Sequence, residues 1–398
     1  MTSPSTPGAR ALRSVAGFTL AELLIVITII ALLVAITIPA LGGARTAAKK
    51  ASTAQLISSI TQAAGSFGND NSGRAPGLFT AAEMGDEDNV NSEGMSAMEN
   101  ALLELSGAEA VYGRVSEGAP ADVSRAVQVG PIDDPNLKYW VKPDLIASSD
   151  TAYLSVSPEF LVNQVRGTQQ FSTNASAGHA EDTPEDAQLP DIVDAFGQPL
   201  LLWVEDEFGP ARIDQNASNI DDERRKFVSI DTSDGPSRFY WASNAAFLRA
   251  TALGKKGEDM TLDITTGAKT SIIGESVWSQ GPSGLDDDEH LIPSLAALLG
   301  NPGFKQLQDV NGALYPPEEL IPESARGSFI VHSAGPDGIY LSNKDKGLSQ
   351  AAADPDHIEY GTNFYEPGST NRYLDDNGAP TSVDVIESFD DIVVGSGG

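Results

Sequence analysis

Gly17-Phe18-Thr19-Leu20-Ala21-Glu22 opens an almost unbroken apolar run that ends near Pro39-Ala40-Leu41, and the reading of this stretch decides the fold. Phe18 to Leu41 is 24 residues. As an α-helix that is about 36 Å, enough to cross a hydrocarbon core of about 30 Å. A secretory signal has a shorter apolar core with its small-residue cleavage site behind it. In this chain the small residue, Gly17, stands in front of the run. Glu22 is also out of place in a plain signal anchor, because a carboxylate near the bilayer is costly and is usually paired and functional. Arg10 and Arg13 precede the run and Arg45, Lys49 and Lys50 follow it, so the charge balance alone does not orient it.

The junction resembles the processing site of type IV pilins and type II secretion pseudopilins. The resemblance implies a basic, cytoplasmic leader over residues 1–17, cut after Gly17 by a prepilin peptidase, with N-methylation of the new terminal Phe18. Glu22 then stands fifth and Pro39 twenty-second in the mature chain. In the family the glutamate of one subunit meets the free amine of its neighbour during assembly, and the apolar helix becomes the filament core. The same resemblance places the chain in the inner membrane by one N-terminal helix. Its head would lie in the periplasm or outside.

The helix is predicted to continue beyond the membrane. Leu56, Ile60, Ala63 or Ala64, and Phe67 recur at helical spacing and give an apolar stripe for a head domain. Gly68-Asn69-Asp70-Asn71-Ser72-Gly73 supplies the stop. Pro39 removes a helix hydrogen bond and Gly42-Gly43 is a weak spot beyond it. That stretch reads either as a kink at the membrane exit or as a segment that unwinds on filament packing.

Residues 68–398 form an acidic head with 55 acidic and 20 basic side chains, a net of −35. Such a head repels phosphate backbones, so no nucleic-acid partner is expected. Its length is ample for a substantial core, arranged in one lobe or two. The run Asp286-Asp287-Asp288-Glu289 reads as a solvated loop. There is no cysteine, so an exported head has no disulfide staple. Many type IV pilins close the C-terminal region with a disulfide, whereas major pseudopilins often use calcium, and this shifts the resemblance toward the pseudopilin side.

Two further stretches sharpen it. Asp194-Ala195-Phe196-Gly197-Gln198-Pro199, followed by Leu200-Leu201-Leu202-Trp203-Val204, resembles the Asp-Pro-Trp-Gly-Asn-Pro turn and strand of major pseudopilins. Physically it is a Gly/Pro turn feeding an apolar strand. Gly327 to Gly338 resembles the family's strand and Ser-x-Gly-x-Asp-Gly loop, which helps hold calcium together with a later Asp. Asp390-Asp391-Ile392, before Val393-Val394, is the candidate for that later element. Calcium takes six to eight oxygen ligands from flexible loops. Asp337, Ser342, Asn343, Asp345, Asp390 and Asp391 offer them, and Asp337, Asp345 and Asp391 are the expected ligands. The spacing matches no EF-hand, and the same residues also fit ordinary turn aspartates.

The departures are as informative. Phe196 and Ser333 stand 137 positions apart, where the family keeps these stretches close. Insertions are expected at about 107–190 and 205–326. The fold class implied is α+β: a long N-terminal transmembrane helix, 18–67 with its membrane part at 18–41, running into a pilin-like head with an antiparallel sheet enlarged by insertions.

In the rest of the head, Met95, Met98, Leu102 and Leu105 form a helical stripe. Residues 138–141, 227–230 and 238–241 read as strands. Asn244 is read as the cap of a helix to Leu253, and Leu291–Leu299 as another helix ending at Gly300. Patches at 172–190, 281–290 and 365–382 read as surface loops. Trp241 and Trp278 are expected in the core.

Catalytic patterns are weak. His179, His290, His332 and His357 show no metalloprotease spacing, and no Gly-x-Ser-x-Gly elbow occurs. Adjacent acids such as Asp133-Asp134 do not establish a catalytic pair across a cleft. The expectation is a filament subunit, not an enzyme, of a type II secretion pseudopilus. Its partners would be prepilin peptidase, copies of itself, other pseudopilins, the inner-membrane assembly platform and secreted cargo. A type IV pilus subunit or surface adhesion module is the alternative.

Overall fold

The structure is a computed structural model. It describes residues 19–86, 95–107, 111–120, 126–131, 136–142, 146, 152–163, 189–210, 220–233, 235–248, 271, 273, 291–301, 322, 324–341, 345, 386 and 389–396. Two compact units emerge, Met1–Ala48 and Lys49–Gly398. Helix α1, Leu20–Asp70, supplies the first unit and enters the second.

In the first unit every large apolar side chain from Leu20 to Leu41 is exposed. The helix is unbroken through Pro39 and Gly42-Gly43. Its hydroxyls fold back onto their own backbone, Thr28 Oγ1 donating to the Leu24 carbonyl at 2.7 Å and Thr37 Oγ1 to that of Leu33 at 2.8 Å. Neither hydroxyl is therefore left to ask for water, as an apolar surrounding requires. By length and composition this helix is able to cross a membrane.

In the second unit the predicted stripe of α1 is buried: Leu56, Ile57, Ile60, Ala63, Ala64 and Phe67. The helix closes where the glycines predict. Gly73, with φ of +86°, donates its N–H to the Gly68 carbonyl at 2.7 Å, a left-handed stop that glycine adopts without penalty.

The central sheet has the order β10-β9-β6, all antiparallel, from β6 (Leu201–Val204), β9 (Phe329–Ser333) and β10 (Ile392–Gly395). Its register pairs Leu202 with Val331 and Val394 with Val331. Side chains alternate between two cores, as the period-2 pleat demands. Leu202, Phe329 and Val331 face a core shared with α1 and with α3 (Ala97–Leu105). Leu201, Trp203 and Ile330 face a second core that includes Phe227, Trp241, the helix Leu291–Leu299 and, from beyond β9, Tyr340, Leu341 and Phe389.

Helix α3 begins with a reciprocal cap. Glu99 N–H donates to Ser96 Oγ at 3.1 Å and Ser96 N–H to Glu99 Oε2 at 2.7 Å. The stripe Met95, Met98, Leu102 and Leu105 is buried core, as expected. Between α1 and α3 lies α2, Ala81–Met84.

The region 107–190 contributes a three-stranded antiparallel sheet of order β1-β3-β2, from β1 (Val111–Arg114), β2 (Val127–Val129) and β3 (Tyr139–Val141). It also contributes β4 (Leu161–Asn163), paired with β5 (Pro190–Ile192). Pro190 therefore begins a buried strand and does not belong to the surface loop expected over 172–190. The region 205–326 carries α4 (Ile220–Phe227), β7 (Val228–Ser229), β8 (Phe239–Tyr240), α5 (Ala245–Leu248) and α6 (Leu291–Leu299).

Asn244 departs from its expected role. Its side chain accepts from Leu202 N–H at 3.2 Å and donates to the Leu202 carbonyl at 2.8 Å. It imitates a neighbouring strand along the outer edge of β6 and does not cap a helix, so the edge is satisfied inside the protein. Trp241 is buried as predicted, whereas Trp278, His179, His290, His357, Asp133-Asp134 and 281–290 lie outside the described residues.

Candidate functional site

Two sites are built by these elements. At the start of α1, Glu22 turns back on Thr19. Its Oε2 accepts the Thr19 N–H and the Thr19 Oγ1–H, each at 2.8 Å, while Glu22 N–H donates to Thr19 Oγ1 at 3.2 Å. This reciprocal cap explains why a carboxylate tolerates the head of an apolar helix: it satisfies donors that the first turn leaves open. Any amine brought to Glu22 by another chain competes with these local donors. Gly17 and Phe18, the expected cleavage and methylation residues, lie outside the described residues.

The second site forms at one end of the central sheet. Because Ile392 pairs with Ser333, the chain leaving β9 and the chain entering β10 meet there. Asp337, Asp390 and Asp391 are brought together, each offering an oxygen within 4.8 Å of the others. Gly335 makes the approach possible. Its φ is +62°, and a side chain would place Cβ 2.1 Å from the Asp390 carbonyl oxygen.

Asp391 is the buried centre. Its Oδ2 accepts from Leu341 N–H at 2.8 Å and meets His332 Nε2 at 2.6 Å, while its Oδ1 is buried with no partner. His332 Nδ1 and Gln198 Oε1 are buried and unpartnered too. Leu341, a non-glycine residue, is held at φ of +44° where it donates to Asp391. Such local strain persists only where its surroundings over-determine it. Burial pushes the Asp391 carboxyl well above the usual carboxylate range and the His332 imidazole down to about 3. Burial thus disfavours charge on both partners of this 2.6 Å contact.

Of the three expected ligands, Asp337 and Asp391 join the cluster directly. Asp345 stands behind it, its Oδ1 accepting the Asp390 N–H at 2.9 Å. Asp390 takes the third place in the cluster. Ser342 and Asn343 lie outside the described residues. His332 was not singled out as a site residue by sequence reasoning. The signal was its position at the end of an apolar strand beside the acidic loop.

The turn Asp194–Pro199 ties this site to α1. Asp194 Oδ1 accepts the N–H groups of Phe196 and Gln198 at 2.8 and 2.9 Å, and Oδ2 accepts Ser333 Oγ–H at 2.6 Å. Ala195 N–H donates to the buried Thr53 Oγ1 of α1 at 3.1 Å, and Lys49 lies over the Phe196 ring. Tyr340 closes the hub with a hydrogen bond to the Pro199 carbonyl. Burial raises the Asp194 carboxyl, and its four hydrogen bonds oppose that rise.

The donor set suits a hard divalent cation. Three carboxylates supply oxygen only, and the unpaired Asp391 Oδ1 is a buried acceptor that a cation would satisfy.

Residues 12–38 match the prokaryotic N-terminal methylation motif, the type IV pilin-like signal. No curated protein and no solved structure matches the chain. The matched motif implies processing by a prepilin peptidase and assembly with pilin-like subunits, which are structural filament components and not enzymes. The apolar helix that follows is consistent with membrane anchoring, and the head is α+β with antiparallel sheets, consistent with a pilin-like fold.

Proposed function

We propose that this chain is the subunit of a type II secretion pseudopilus, held in the inner membrane until it is added to a filament that moves folded cargo outward. The observation that carries the prepilin reading is the match over residues 12–38, joined to a helix that starts at Leu20 with Glu22 engaged at its first turn. Cleavage after Gly17 frees the Phe18 amine. On adding to the filament base, that amine is drawn to a neighbour's Glu22, exchanging Thr19 donors for a full positive charge. The exposed apolar side chains of Leu20 to Leu41 then pass from lipid to lipid-like contacts between helices.

Two features favour the secretion reading over a surface pilus: the absence of cysteine and the acidic site at the sheet end. A calcium ion held by Asp337, Asp390 and Asp391 would supply the closure of the C-terminal region that a disulfide supplies elsewhere. Asp345 would position Asp390 through its N–H.

Intact mass of the membrane-extracted chain tests the first step. The expected mass lacks residues 1–17 and carries one methyl group, and a retained leader with unmodified Met1 overturns it. A deletion strain tests the second. Exported enzymes accumulating inside while surface fibres persist supports the pseudopilus, and intact secretion with lost fibres or adhesion assigns a type IV pilus instead.

A further inference from the structure

A groove of about 890 Å³ opens in the head between the last turns of α1, the loop after it, α3 and the turn that follows β6. Among the described residues its charged lining is one cation, Arg74, against four carboxylates, Glu104, Glu205, Asp206 and Glu207. Arg74 is already engaged. Its two terminal nitrogens meet the two Glu104 oxygens at 2.7 Å each, and Nη1 also donates to the Gly77 carbonyl at 2.8 Å. Glu205 faces Arg238 at 3.8 Å. The remaining surplus is negative and centres on the turn Glu205–Gly209.

That turn is held on every side. Asp206 N–H donates to the Arg238 carbonyl at 2.7 Å, Asp206 Oδ1 accepts Phe208 N–H at 2.9 Å, and Gly209 N–H donates to the Asp206 carbonyl at 3.0 Å. Tyr240 O–H reaches Asp206 Oδ2 at 3.2 Å, and Arg238 Nε–H donates to the Pro210 carbonyl at 2.7 Å. A side chain on Gly209 would lie 2.8 Å from the Ser237 carbonyl oxygen, so the turn sits directly on the backbone beneath it. At its crown Phe208 is 73% exposed, the most exposed large apolar side chain among the described residues after Leu20. A large aromatic held on a fixed turn loses little freedom on binding, which is how interface anchors are made. Beside carboxylates it suits a partner that brings cations on apolar stems.

The chain itself carries such a partner. Its heads repel one another, with 55 acidic against 20 basic residues, but no acidic residue occurs between Glu22 and Asp70. That acid-free stretch holds Arg45, Lys49 and Lys50; Arg45 and Lys49 stand four apart on one helix face, Lys49 lying over the Phe196 ring of its own head and Lys50 partly buried. Lys50 precedes Gly68, at the groove, by about 27 Å of helix. A parallel second copy shifted along α1 by about that distance sets its cations opposite the groove. We propose that the groove and Phe208 seat the basic stretch Arg45–Lys50 of a second copy of this chain, stacked along a filament. The inference rests on the filament reading and adds the contact that sets the spacing of subunits.

The chain has no cysteine, so pairs are introduced into a clean background. Phe208→Cys with Lys50→Cys, treated with a short bismaleimide in intact membranes and in sheared fibres, is expected to give a ladder of multimers that neither single variant gives. Separately, Glu207→Lys is expected to lower fibre yield about tenfold through like-charge contact, and Lys50→Glu in the same chain to restore it. Parental fibre yield in Glu207→Lys together with no ladder overturns the contact while leaving the filament reading intact. A dimer with no higher species overturns the stacking. Absence of any fibre or multimer from the parent chain overturns both readings.

Discussion

The two faces of the β10-β9-β6 sheet are covered by different parts of the chain. One face packs on α1 and α3, elements that precede β6 in sequence, through Leu202, Phe329 and Val331. The other packs, through Leu201, Trp203 and Ile330, mainly on residues between 227 and 299, inserted between β6 and β9, joined by Ile339, Tyr340, Leu341 and Phe389 from beyond β9. The consequence is visible in the strands. β9 is buried at all five positions and β6 at its first three, where a sheet with one wet face would alternate. The long insertion is therefore a second core laid against the back of the sheet. It also brings Asn244, which covers the outer edge of β6 with two hydrogen bonds to Leu202. On the α1 side a second buried asparagine, Asn100, pins a loop instead of a strand. Its side chain accepts Phe79 N–H at 3.1 Å and donates to the Phe79 carbonyl at 2.9 Å.

The comparison breaks most sharply under truncation. Trp241→Ala removes a fully buried indole from the second core and leaves the Ile273 carbonyl without its 2.8 Å donor. The expected cost is about 3–5 kcal/mol. Ile60→Ala removes a fully buried side chain from the first core and costs about 2–5 kcal/mol. Followed by circular dichroism of the full chain in detergent, both variants are expected to shift one shared unfolding transition. The shared sheet couples the cores. Two transitions, with Trp241→Ala moving only one, would make the insertion a separately stable lobe.

This architecture was legible in unequal parts. The membrane run, the stripe Leu56 to Phe67, the stop at Gly68–Gly73 and the helix at Leu291–Leu299 follow from local period and punctuation, and the strand at 329–333 from the resemblance of Gly327 to Gly338. The two-sided burial of β6 and β9 was not legible, because an apolar run in sequence does not say what lies on each face. Asn244 was misread for a related reason. An asparagine before a helical stretch is a good cap in isolation. Only the position of β6, more than forty residues earlier, shows that its amide has a better use. The acidic site was half legible. Asp337, Asp345 and Asp391 follow from the family resemblance and the oxygen preference of calcium, but that Asp390 stands beside Asp337 and Asp391, with Asp345 on its N–H, depends on the register of Ile392 against Ser333.

The loops of the sheet end join the second core through Ala334, Tyr340, Leu341 and Phe389, and a cation there would tie β9 to β10 at the margin of that core. Calcium at a hundred times its dissociation constant is expected to stabilise the chain by about 2.7 kcal/mol, lost on chelation. Asp391→Asn is expected to abolish the calcium-dependent shift in melting temperature. Asp345→Asn is expected to weaken it while leaving it measurable, because Asp345 acts on Asp390 through the backbone. An unchanged melting temperature of the parent on chelation would remove calcium from the account. Equal loss in the two variants would return Asp345 to the ligand set.

The smallest effect probes the junction between the second core and the turn carrying Phe208. Tyr240 accepts the Ser237 N–H at 2.9 Å and donates to Asp206 Oδ2, beneath that turn. Burial pushes its hydroxyl up to about 12. Against an ordinary value of about 10, the folded chain keeps this proton over a window in which the unfolded chain has released it. The stabilisation is thus complete below about pH 10 and declines as pH rises toward about 12. Tyr240→Phe is expected to flatten that decline and to cost about 1 kcal/mol at neutral pH, since the buried Ser237 N–H loses its acceptor. Unfolding of parent and variant at pH 7, 10 and 11.5 separates the two terms. A cost at pH 7 with the decline unchanged would place the titrating group elsewhere. A decline abolished with the turn intact, read from unaltered cross-linking at Phe208→Cys, would show that Tyr240 supports the second core and not the exposed aromatic above it.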